Sequence, residues 1–124
     1  METEYQGQVR QSLTTNRPLI DRFIRNAKSL AVELDSLENS KDFGSTSTDM
    51  GNVSNAIPSI HPLFKINADV PNHNAGFTKS TFAVENQPPT LNSAKSIAMT
   101  AIDVVCEKGL LDMINENFEK NTTI

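Results

Sequence analysis

Ser47-Thr48-Asp49-Met50-Gly51-Asn52-Val53-Ser54, followed at once by Ile57-Pro58-Ser59-Ile60-His61-Pro62, is the stretch on which the reading of the fold turns. Hydroxyl, amide, carboxylate and glycine residues crowd the first eight positions, and a proline-punctuated apolar segment ending in histidine comes next. The pattern predicts a tight loop feeding a short buried strand. Two brief strands are expected, Ala56 to Ile60 and Leu63 to Ile66, because both runs are short and apolar or β-branched. His61-Pro62 divides them, since the residue before a proline is pushed away from helical backbone.

Upstream, Ile20, Phe23, Ala27, Leu30, Ala31 and Leu34 recur at steps of three and four, which predicts one amphipathic helix from Pro18 through Leu34. Arg22, Arg25, Lys28 and Glu33 take its opposite, polar face. Asn16 is placed to cap it, and Pro18 is tolerated in a first turn, where its missing N–H has no partner to lose. Residues 1 to 17 carry only Tyr5, Val9 and Leu13 as regularly spaced apolar positions and read as an incoming connector. Leu37 to Phe43 is short and charged.

Downstream, residues 67 to 89 show no period. A structureless run of that length argues either against the element assignment or for a functional loop, and the presence of His73 favours the loop. After Pro88-Pro89, Thr90 is expected to cap a second helix whose apolar face is Leu91, Ala94, Ala98, Ala101, Ile102 and Val105. Gly109 suits a left-handed turn, and Leu110, Leu111, Ile114 and Phe118 suit a last short helix. Neither of the longer helices can bury its face unaided, so both call for a sheet to lie on.

The 124 residues suffice for one domain, but an apolar content of 37% falls below the roughly 45 to 50% of ordinary globular domains, so the core is thin. A net charge of -4 and scattered Lys and Arg give no cationic footprint, which argues against nucleic acid. No stretch has the roughly 18 consecutive apolar residues of a membrane span, and Met1-Glu2-Thr3-Glu4 lacks a signal-peptide start. No membrane partner and a cytoplasmic address are the expectations. Cys106, the single cysteine, lies among Ile102, Val104 and Val105 and reads as a small buried thiol. The two histidines, His61 and His73, have no spacing that makes a metal site by itself.

Taken together, the Ser47-to-Ser54 loop, the Ile57-to-Pro62 segment and the following His73-Asn74-Ala75-Gly76-Phe77 resemble the C-terminal signature of zinc-dependent amidohydrolases of the aminoacylase and carboxypeptidase G type. The likeness is to the branch holding β-alanyl-lysine (Xaa-Arg) dipeptidases and p-aminobenzoyl-glutamate hydrolases. It implies an α/β fold: residues 18–124 as the C-terminal part of a three-layer αβα catalytic domain, and residues 1–17 as a connector leaving a small α+β lid. It implies His73 as the last ligand of a two-zinc site, with Asn74 where the family usually has Thr. Thr48, Asp49, Gly51 and Asn52 are implied at the substrate end of the cleft, and His61 as structural or as a support behind the metal ligand. Thr46 and Asn55 depart from the family, which favours glycine and a larger residue at those places. Oligomerisation through the lid is implied for the complete enzyme.

Hydrolysis at a two-zinc site needs a metal-activated hydroxide, a carboxylate base and a bridging carboxylate. The family supplies them from an H-x-D pair, a bridging Asp and adjacent glutamates, and neither an H-x-D nor a Glu-Glu pair occurs in this sequence. The expectation is a C-terminal portion of an enzyme that hydrolyses the amide bond of a dipeptide or N-acyl amino acid, inactive as this chain and with no catalytic residue of its own. The alternative is a truncated, non-catalytic homologue that partners or regulates the full-length enzyme.

Overall fold

The computed structural model describes residues 11–32, 34 and 48–122. The expectations for residues 1–10, for Glu33 on the polar face of the first helix, for Leu37 to Phe43 and for Thr46 and Ser47 lie outside the described residues. Among the described residues the α-helices are, in order, α1 (Arg17–Ser29), α2 (Met50–Ser54), α3 (Ala75–Thr81), α4 (Gln87–Cys106) and α5 (Leu110–Thr122). A 3-10 turn, Val84–Asn86, leads into α4.

Helix α1 starts where the sequence predicts. Asn16 Oδ1 accepts from the Leu19 N–H at 3.3 Å, and proline occupies the first turn. The helix stops five residues short of Leu34. The N–H of Ala31 donates to Lys28 C=O and that of Val32 to Ala27 C=O, the paired bonds of a Schellman ending, with Ala31 at φ +53°. Glycine normally fills that left-handed position, and an alanine there gives no sign in the sequence that the helix ends.

Among the described residues there is no strand, so the α/β expectation is met only by its helices. The runs expected as strands, Ala56 to Ile60 and Leu63 to Ile66, have no paired neighbour. Pro58 and Pro62 lack N–H donors; Ala56 and Ile57 donate locally to Val53 C=O, and a long-range backbone bond runs from the Asn16 N–H to Ser59 C=O, at 3.0 Å. The expected loop at residues 67–89 instead holds α3 and the 3-10 turn. Asn74 caps α3 by accepting from the Gly76 N–H at 2.8 Å. Helix α4 begins three residues before Thr90, which serves inside it by donating to Asn86 C=O at 2.7 Å.

The centre of the assembly is where α1 lies across α4 and α5. Phe23, Ala27, Leu110 and Ile114 are its buried apolar residues, and they are outnumbered by buried Asn16, Asn26, Ser54, Ser59, Asn86, Ser93, Ser96 and Thr100. Burial of so many polar groups is tolerated only if each is hydrogen-bonded, and among the described residues no buried side-chain N or O lacks a partner. Asn16 illustrates this: besides capping α1, its Nδ2 donates to Ile114 C=O at 2.9 Å. Asn86 does the same elsewhere, donating to Asn67 C=O and Ser80 C=O and accepting from the Asn67 N–H.

Helix α4 sits with the opposite face inward from the one its apolar residues predict. Ser93, Ser96 and Thr100 are buried, while Leu91, Ile102 and Val105 are 56%, 61% and 84% exposed. Ala94, Ala98, Ala101 and Cys106 are exposed too, so Cys106 is not the buried thiol expected. The inward hydroxyls are satisfied within their own helix: Ser96 Oγ donates to Asn92 C=O and Thr100 Oγ1 to Ser96 C=O, both at 2.7 Å. Helix α1 turns its apolar face inward through Phe23 and Ala27, as the sequence predicts, and polar side chains beside that face reach across to α4. Arg25 pairs with Asp103 at 3.0 Å, Arg22 pairs with Glu107, and Asn26 Nδ2 donates to Asp103 at 2.8 Å and to Thr100 Oγ1 at 3.2 Å. The Asn26 hydrogen bond, followed by the bond from Arg25 and the charges of Arg25 and Arg22, holds the Asp103 carboxyl below the usual carboxylate range against an opposing desolvation.

Candidate functional site

Of the expected loop from Ser47 to Ser54, the described part is a short helical turn, α2, entered through Thr48 and Asp49. Thr48 Oγ1 accepts from the Met50 N–H at 3.2 Å, Asp49 stands at the helix start with its carboxylate exposed, and Asp49 C=O accepts from the Asn52 N–H at 2.9 Å. A segment entering from Gln11 lies across this turn and is held by side chains of the same motif.

Four hydrogen bonds make that attachment. The Gln11 N–H donates to Asn52 Oδ1 at 2.9 Å, and the Thr14 N–H to Ser54 Oγ at 3.0 Å. Asn55 Nδ2 donates to Ser12 C=O at 2.9 Å, and Thr14 Oγ1 donates to Asn55 Oδ1 at 3.3 Å. Asn55 Nδ2 and Ser54 Oγ also reach back to Gly51 C=O, at 2.8 and 3.0 Å, which fixes their orientation. Gly51 is buried against the same segment: a Cβ there lies 1.8 Å from Gln11 C=O oxygen, an impossible contact. Glycine is thus required by the close approach of two backbones.

His61 and His73 are both exposed and lie outside this cluster. His73 has φ +61°, a left-handed conformation uncommon for a residue with a side chain and one that costs of order 1–2 kcal/mol. It immediately precedes the Asn74 cap of α3, so the imidazole is carried on a turn fixed from one side by that cap. Gly76 allows the turn to close, because a Cβ on it stands 2.9 Å from Val70 Cγ2. Among the described residues no three His, Cys, Asp or Glu side chains gather in a group able to hold a metal ion. The donor set is one imidazole, which does not fit a zinc centre by itself.

A cleft of about 450 Å³ opens elsewhere, between the end of α1, the Phe64–Asn67 run and the first turn of α4, with Val32, Phe64, Ile66, Pro88, Pro89 and Asn92 among its walls. Thr48, Asp49, Gly51, Asn52, His61 and His73 are not among its lining residues. The structure therefore brings Thr48, Asp49, Gly51 and Asn52 together on one turn and leaves both histidines apart from them. Sequence reasoning missed Ser54 and Asn55 as partners of the incoming segment. The signal was present as two hydrogen-bonding side chains beside an invisible requirement, the approach of residues 11–14.

The chain is similar in sequence to dipeptidases. Over 104 residues it is 38% identical to the Xaa-Arg dipeptidase of Homo sapiens and 38% identical to that of Mus musculus, covering 84% of this chain and 24% of each relative. The chain thus spans about a quarter of the length of the curated relatives it matches. No family model matches it. Among the described residues no helix is long and apolar enough to cross a membrane.

Proposed function

We propose that this chain is the C-terminal portion of a two-zinc amidohydrolase that cleaves the amide bond of dipeptides or N-acyl amino acids. The observation that carries the reading is the 38% identity to Xaa-Arg dipeptidase over 84% of the chain. In the complete enzyme His73 supplies one zinc ligand, and the turn at Thr48 and Asp49 borders the substrate. The remaining ligands and the carboxylate base come from outside these residues. The uncovered apolar face of α4 supports the same reading: in the complete catalytic domain a sheet covers it, giving the αβα layering expected from sequence.

The test is a zinc titration of the chelator-cleared 124-residue chain, with hydrolysis of an arginine-terminated dipeptide followed in parallel. Neither turnover nor stoichiometric binding of two zinc ions is expected. Tight binding of two ions by this chain overturns the reading. The same exposed face of α4 favours the second reading, a non-catalytic homologue that docks on a full-length relative, and co-purification with such a relative distinguishes it.

A further inference from the structure

We propose that Asn52, Ser54 and Asn55 are positioning residues that clamp the incoming segment Gln11–Thr14 onto α2, so that segment and turn move as one body. The proposal rests on the reading above only in taking residues 1–17 to arrive from a lid. The clamp itself stands on geometry. Its four bonds join side chains of α2 and of Asn55 at its C-terminal cap to the backbone or side chain of residues 40 to 43 positions earlier in the chain. Ser54 is 1% exposed, so its bond to the Thr14 N–H is sheltered from competing water. Gly51 removes the Cβ that otherwise holds the two backbones apart.

The arrangement divides the labour of the motif. Asn52, Ser54 and Asn55 direct polar atoms to the segment, and Gly51 receives its carbonyl. Thr48 and Asp49, at the start of the same turn, direct their side chains to neither. Asp49 is exposed. A displacement of Gln11–Thr14 is therefore delivered to Thr48 and Asp49 through α2, as well as to α1 through Asn16.

Amide hydrogen exchange read residue by residue in the 124-residue chain tests the clamp without requiring zinc or turnover, so its failure is separable from failure of the hydrolase reading. Both the Gln11 and Thr14 amides are expected to exchange at least about tenfold more slowly than in an unstructured peptide. Asn52→Leu removes the acceptor and releases Gln11, whereas Asn52→Asp keeps an acceptor oxygen and restores protection. The Met113 amide, bonded to Gly109 C=O at 3.1 Å in α5, reports whether the fold is intact. Protection of Gln11 that survives Asn52→Leu overturns the proposal. Where Asn52→Leu also releases Met113, the unaltered chain decides: free exchange at Gln11 and Thr14 overturns the clamp, and slow exchange at both supports it.

Discussion

The two faces of α4 are built on opposite rules. Its inner face meets α1 with Ser93, Ser96, Thr100 and Asp103, while its outer face presents Leu91, Ala94, Ala98, Ala101, Ile102 and Val105 to solvent. Burying serine and threonine yields little apolar transfer energy, and exposing leucine, isoleucine and valine forgoes roughly 1.5–3 kcal/mol for each side chain left uncovered. A helix so arranged is suited to a layer between two others. Its polar side locks to a neighbouring helix through specific hydrogen bonds, and its apolar side awaits a larger surface.

Four measurements break or sharpen this contrast. The largest effect is expected from Phe23→Ala on α1, because that ring is the one large aromatic fully buried among the described residues; urea unfolding should show a loss of about 3–5 kcal/mol. Next is Ser96→Leu on the inner face, where the side chain is 0% exposed. Overpacking there is expected to cost about 1–3 kcal/mol, and a gain in stability instead would mean that the inner face accepts apolar bulk and the contrast fails.

The third concerns acid. The folded-state pKa of Asp103 is depressed, so its contribution is present above the unfolded-state value and is lost as pH falls through the folded one. The urea midpoint is expected to drop below about pH 4, and Asp103→Asn should flatten that part of the profile. The smallest effect is expected on the outer face: Val105→Glu, at 84% exposure, should change the stability of this chain by less than about 0.5 kcal/mol. A large loss there would show that the face is already covered, for instance by a second copy, which concentration-dependent unfolding would reveal.

How much of this was legible from sequence follows from what each residue reports. The start of α1 could be read because Asn16 and Pro18 are local signals, and the turn at Gly109, with φ +84°, because glycine announces it. The end of α1 could not, because Ala31 takes a glycine conformation without being glycine. The apolar stripe of α4 is legible as a stripe that calls for a sheet to lie on, and among the described residues no sheet covers it. Periodicity shows which face is apolar and is silent on whether its partner lies within the same 124 residues. The strands failed for the same reason, since a strand is defined by a neighbour. In the candidate site the motif around Gly51 was recognisable, yet the role of its amides depended on residues some 40 positions away, beyond any local pattern. The position of His73 ahead of a helix cap was hidden inside a run with no period.

The central claim is that α4 is an internal layer of a longer enzyme, and the mass of the native protein tests it most directly. Recovery from the source with an antibody to residues 110–122 is expected to yield a species about three and a half times the 13.6 kDa of this chain, because the 104 matched residues are 24% of each relative. A native species of 13.6 kDa, monomeric and with the outer face of α4 exposed, would contradict it.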